Sequence, residues 1–170
     1  MAIGPRRSIL LCVSSHDMSV AFRREGDEEH IEPKFEIPIP AGPNLVTARG
    51  LTLIRSRVAE IEARLAGLSD EAEIKSAKRD LRYWQTREVT AELTAIPSGA
   101  KVEIGTRVSF RLGGNLRSLS IVGDDEADPA KGLVSYSAPL SRALMGAEPG
   151  DVLEFAGKDD AIAVLDIAVI

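Results

Sequence analysis

Aromatic side chains are scarce in this sequence: 170 residues hold one tryptophan, two tyrosines and four phenylalanines. Proteins that read unpaired bases stack them on aromatic platforms, and seven rings make a poor platform. Cysteine is scarcer still. Cys12 alone can form neither an internal disulfide nor a multi-cysteine zinc site, and the two histidines, His16 and His30, lie in the N-terminal stretch, away from the core segments. This pattern reads as cytoplasmic and metal-free. Long hydrophobic runs are also missing near the start: Ile9–Val13, behind Arg6 and Arg7, falls short of the apolar core of an export signal. No G-x-x-x-x-G-K-[ST] or G-x-G-x-x-G motif occurs, so nucleotide chemistry has no support. What is present, 44% hydrophobic and 28% charged residues, is the composition of an ordinary folded domain with no membrane association.

The net charge of -5 is unevenly spread. Residues 47–96 are nearly balanced, with 9 basic and 8 acidic side chains, whereas residues 97–170 carry 7 and 11. An acidic C-terminal half is a poor surface for phosphates, which require clustered Lys and Arg. It suits a basic protein partner instead.

Three regions follow from the patterning. Residues 1–44 are a tail and an arm: Met18 opens a more protein-like segment, which marks residues 1–17 as a tail or an upstream-start artefact, and Pro33, Pro38, Pro40 and Pro43 then keep the chain extended. Over 45–96 the spacing predicts an antiparallel coiled-coil hairpin. Leu51, Ile54, Val58, Ile61, Leu65 and Leu68 recur every three or four residues behind the N-cap candidate Thr47. Gly67 ends this helix, and Ser69 or Asp70 caps a second one running through Ile74, Ala77, Leu81 and Trp84, then slipping to Val89, Leu93 and Ile96 before Pro97 stops it. Over 97–170 the period becomes alternating: Val102 and Ile104, Val108 and Phe110, Leu119 and Ile121, with a Gly113-Gly114-Asn115 turn, and further strand-like runs to Ile170. A short helix is expected at Pro139–Met145, closed by Gly146. The fold class is therefore α+β, a helical hairpin followed by a small antiparallel β domain with one short helix.

Particular phrases go further. Ile121-Val122-Gly123-Asp124-Asp125-Glu126-Ala127-Asp128 and Val134-Ser135-Tyr136-Ser137-Ala138-Pro139-Leu140-Ser141-Arg142-Ala143-Leu144-Met145-Gly146, then Gly150-Asp151, resemble in order and separation the Gre family of bacterial transcript-cleavage factors. Leu45-Val46-Thr47-Ala48-Arg49-Gly50 is similar to the start of that family's hairpin. The resemblance implies an FKBP-like C-terminal domain that docks on RNA polymerase at the rim of its secondary channel, with the hairpin pointing toward the active centre and meeting nascent RNA only through the polymerase. It implies a monomer that is not itself an enzyme. Tip acids would help hold a catalytic magnesium ion, most of whose shell the polymerase supplies.

Carried over residue by residue, the tip stretch is Ala66-Gly67-Leu68-Ser69-Asp70-Glu71-Ala72-Glu73-Ile74, in which Gly67 stands where the family has its first acid and Asp70 where it has its second. Asp70 and Glu73 are the candidate catalytic residues and Asp70 the candidate magnesium ligand. Asp124, Asp125, Glu126, Asp128, Ser137, Pro139 and Arg142 are the candidate partner-binding residues. Plainer readings stand beside these. First-turn acids such as Asp70, Glu71 and Glu73 cap a helix and complement its dipole, the run from Asp124 to Asp128 forms a solvated turn, and Tyr83 and Trp84 are packing residues. The first helix is also several turns shorter than is usual in the family. Two actions stay open: stimulation of transcript cleavage in backtracked complexes, or occupation of the channel without cleavage, in competition with other channel-binding factors. A prolyl isomerase read from the fold alone has no further support.

Overall fold

The computed structural model describes residues 37–170, all of which fall in one compact unit. The readings made for Ile9–Val13, Cys12, His16, Met18, His30 and Pro33 lie outside the described residues. The arm ends at Pro43, because Asn44 already belongs to a strand, β1 (Asn44–Val46).

Thr47 caps the first helix, α1 (Ala48–Gly67), by accepting a hydrogen bond from the Gly50 amide. Asp70 caps the second, α2 (Glu71–Val89), by accepting from the Glu73 amide. The ion pairs Arg55–Glu88 and Arg64–Asp80, both 3.4 Å, cross between the helices with rising numbers on one and falling numbers on the other, so the hairpin is antiparallel. Ile54, Ile61 and Ala77 are buried along the seam, and Leu51, Val58, Leu65, Leu68, Ile74, Leu81 and Trp84 are half-buried, as the heptad spacing requires.

The second helix is shorter than its apolar spacing predicts. It ends at Val89, and the chain turns at Thr90 into β2 (Ala91–Leu93), which pairs in parallel with β1. Val89 is 87% exposed and Ile96 90%, so these are not seam positions. The end is held by polar groups: the Asn44 amide donates to the Arg87 carbonyl at 2.7 Å, and the Thr90 hydroxyl donates to Thr86 O at 2.8 Å. The first satisfies a carbonyl that the last turn leaves without a helical partner, and the second adds to the Thr90 amide, which donates to the same Thr86 oxygen at 3.0 Å.

The C-terminal sheet has five strands: β3 (Thr106–Leu112), β4 (Asn115–Val122), β5 (Leu133–Ser135), β6 (Val152–Phe155) and β7 (Lys158–Val169), in the order β5-β4-β3-β7-β6. It is antiparallel except where β5 runs parallel to β4, so the sheet is mixed rather than purely antiparallel. Leu112 pairs with Asn115 across Gly113 and Gly114, whose φ values of 57° and 83° give the mirror-image turn that suits the twist of a hairpin. Val102 and Ile104 are buried but lie in irregular chain rather than a strand. Val102 exchanges backbone hydrogen bonds with Gly146 and Ala147, which ties this segment to the end of the short helix α3 (Pro139–Leu144). The core joins these to Val108, Phe110, Leu119, Ile121, Leu144, Ile162 and Val164. No helix among the described residues is long and apolar enough to cross a membrane.

Candidate functional site

The acidic run after β4 folds into a 3-10 turn, Asp124–Glu126, and its three carboxylates go to three different places. Asp125 faces α2: its Oδ2 accepts from Arg87 Nε at 2.5 Å and its Oδ1 from the Tyr83 hydroxyl at 2.6 Å. Both partners of the ion pair are enclosed, with side chains 2% exposed for Arg87 and 4% for Asp125. Glu126 faces the start of α1. Its Oε1 accepts from the Thr47 amide at 3.1 Å and the Gly123 amide at 3.3 Å, and its Oε2 from the Thr47 hydroxyl at 2.7 Å. Arg49 lies 3.4 Å from the same oxygen. The first turn of α1 has no acid of its own, so Glu126 places the negative charge that a helix N-terminus favours. Asp124 turns the other way, accepting from the hydroxyls of Ser135 and Ser137, while its second oxygen lies 4.0 Å from Arg87 Nη2.

Asp124, Asp125 and Glu126 thus do not offer free carboxylates to a partner. Asp125 and Glu126 bind the hairpin to the sheet, and the reading of this run as a solvated turn also fails for them. Neither reading anticipated inward-facing partners. Arg87, Tyr83, Thr47 and Gly50 were missed as members of this cluster. One signal was available: the apolar spacing of α2 breaks between Trp84 and Val89, and the residue buried in that gap is Arg87. Tyr83 is a packing residue with a polar duty, and its ring also meets Trp84 edge to face at 5.3 Å.

Burial, and then the hydrogen bond to Asp125, hold the Tyr83 phenol above its ordinary pKa of 10.0. A proton held more tightly in the folded state gives stability that is complete below the unfolded pKa and lost as pH rises beyond it. Between about pH 9 and 11, wild-type stability should therefore fall more steeply than that of Tyr83→Phe. Urea unfolding across that range would show this, and parallel curves would contradict it.

The remaining docking candidates are gathered beside this turn. Ser137, Pro139 and Arg142 are exposed where β5 leads into α3, and Asp128 is half-buried, paired with Lys131 at 2.8 Å. The hydrogen bond from Lys131 holds the Asp128 carboxyl below its usual range. At the far end of the hairpin Asp70, Glu71 and Glu73 are all exposed. One oxygen of Asp70 accepts from the Glu73 amide at 2.9 Å, so the capping reading holds for it. A β-carbon built on Gly67 would meet nothing within 4 Å. Among the described residues, no group of three or more His, Cys, Asp or Glu is gathered to hold a metal. With one Asp70 oxygen committed to the cap and no side-chain donor at Gly67, the tip by itself does not fit a resident magnesium ion.

Comparison with known proteins gives a family match over the sheet domain and relatives over a longer stretch of the chain. The family described as transcription elongation factor GreA/GreB, C-terminal, matches residues 97–169. Transcription elongation factor GreA of Agrobacterium fabrum is 36% identical over 114 residues, covering 59% of this chain and 72% of the relative. GreA of Rhizobium etli is 34% identical over 130 residues, covering 67% and 82%. The chain belongs to the GreA/GreB family of transcription elongation factors. The Rhizobium match runs over more residues than 67% of a 170-residue chain supplies, so that relative carries residues inside the matched region that this family member lacks. The solved structure of GreA factor homolog 1 of Thermus thermophilus is 18% identical, covering 75% of this chain and 99% of that one, with a TM-score of 0.35, too low to bear on the fold.

Proposed function

We propose that this factor binds RNA polymerase through the Ser137, Pro139 and Arg142 face, with Asp128 at its edge, and directs its hairpin into the secondary channel. There it promotes rescue of backtracked complexes by stimulating cleavage of the nascent transcript. The bond-breaking chemistry and the magnesium ion belong to the polymerase, and RNA is met only through it. The observation that carries the proposal is the division of the chain: family-like residues are exposed on the sheet domain, and an acid-bearing turn stands a 20-residue helix away, about 30 Å. Asp70 and Glu73 are the tip acids in this reading. Their part is to bring carboxylate oxygens to the polymerase's own centre.

A second reading rests on the same tip. With Gly67 in place of an acid and Asp70 serving as a cap, and with residues missing relative to the Rhizobium protein, a short arm would occupy the channel and exclude competitors without cleavage. The discriminating experiment adds each variant to a backtracked elongation complex with magnesium and follows transcript length beside affinity. Asp70→Ser keeps the cap and removes the carboxylate. The cleavage reading expects slow shortening by wild type, about tenfold less with Asp70→Ser and about tenfold more with Gly67→Asp, at equal affinity. Binding with no shortening by wild type or Gly67→Asp selects the second reading.

A further inference from the structure

The hairpin is a lever, and its footing is small. If the tip stands about 30 Å from the base, a swing of about 10° moves it about 5 Å, more than a reacting carboxylate tolerates. Packing does not close the footing on every side. A groove of about 450 Å³ lies between the start of α1, the Leu93–Pro97 segment and the end of β7, lined by Ile96, Ile104, Val169 and Ile170 among others. The footing also carries the three carboxylates of Asp124–Glu126, and their partners are distributed in a particular way. Asp125 holds the last turn of α2, Glu126 holds the first turn of α1, and Asp124 holds Ser135 and Ser137 of the docking loop. One turn therefore grips both helices of the arm and the loop at the dock.

We propose that Asp124–Glu126 is a clamp that sets the direction of the hairpin relative to the docking loop, with Arg87, Asp125 and Glu126 as positioning residues for the tip. Gripping both helices at their adjacent ends resists rotation about either one, which a single contact would not do. Enclosure makes the clamp resistant to salt, since pairs shut away from solvent are weakly screened. The functional meaning of the tip rests on the polymerase-binding reading above; the geometry of the clamp does not.

The test uses the full chain with Cys12→Ser and spin labels at Ala66→Cys near the tip and Ser118→Cys on β4. Pulsed dipolar spectroscopy on the free protein should give one narrow distance distribution for wild type. The neutral pair Arg87→Met with Asp125→Asn, which removes both charges of the enclosed pair and leaves Asp124 its bonds from Ser135 and Ser137, should broaden or shift it by about 5 Å with helix content unchanged by circular dichroism. Arg87→Lys, which keeps the cation, should restore a narrow distribution. An unchanged distribution in the neutral pair overturns the clamp, and so does a broad one in Arg87→Lys. Should the neutral pair lose helix content, Glu126→Gln, which removes the charge held against the start of α1 and keeps the side chain's volume, replaces it under the same criteria. With polymerase, the neutral pair should bind within about threefold of wild type and lose at least about tenfold of any tip-dependent effect. A free protein that behaves as stated but fails to bind polymerase would refute the docking reading and leave the clamp standing.

Discussion

Gly50→Ala should destabilise the protein by about 2 to 3 kcal/mol, although it places a better helix former in a helix. Alanine gains about 1 kcal/mol over glycine in a helix interior. Here the added β-carbon would lie 2.1 Å from Glu126 Oε1 and 2.4 Å from its carboxyl carbon. The carboxylate must leave, abandoning the Thr47 amide, the Thr47 hydroxyl and the Gly123 amide, and exposing it again does not restore those bonds. Unsatisfied enclosed donors cost about 1 to 3 kcal/mol each, so the loss outweighs the propensity gain. A urea titration reads this directly as a lower midpoint. A midpoint equal to or above wild type would mean that Glu126 does not sit under α1.

Ile61→Asp should cost more, about 3 to 5 kcal/mol, and should act on the hairpin alone. Ile61 is buried in the middle of the seam, beside Trp84, Arg64 and Asp80 in a shallow groove, while the sheet core is assembled from residues beyond Val102. A carboxylate there enters the seam beside Asp80, and the two cations of that groove, Arg57 and Arg64, are already paired with Glu60 and Asp80. The expected result is an early loss of helical signal on heating, followed by a separate sheet transition. One cooperative transition at the wild-type temperature would contradict the seam assignment.

The parts of this molecule set by local chemistry were legible from residues alone. Thr47, Asp70, Gly113-Gly114 and Pro139 each act where their caps, turn or fixed φ dictate, and the heptad spacing found the seam up to Trp84. Beyond Trp84 local pattern misled, because Val89, Leu93 and Ile96 keep a helical rhythm while the chain leaves the helix to pair with β1, a partner 47 residues earlier in the register Val46 to Leu93. Long-range pairing of that kind leaves no periodic trace in three residues. The acid run was misread for a related reason. Asp124, Asp125 and Glu126 look like solvated surface until Arg87 and Tyr83 arrive from the other domain, and a buried charge is visible in sequence only when its partner is known. At the tip the residues themselves were informative, since Gly67 offers no side-chain ligand wherever it is placed.

The most direct measurement is a titration of the labelled full chain with core RNA polymerase at fixed salt, comparing wild type with Arg142→Glu and with Arg117→Glu, the same charge change on exposed β4. Wild type should bind saturably, Arg142→Glu about tenfold more weakly, and Arg117→Glu nearly as wild type. Absence of saturable binding by wild type, or Arg142→Glu binding as tightly as wild type, would contradict docking through this face.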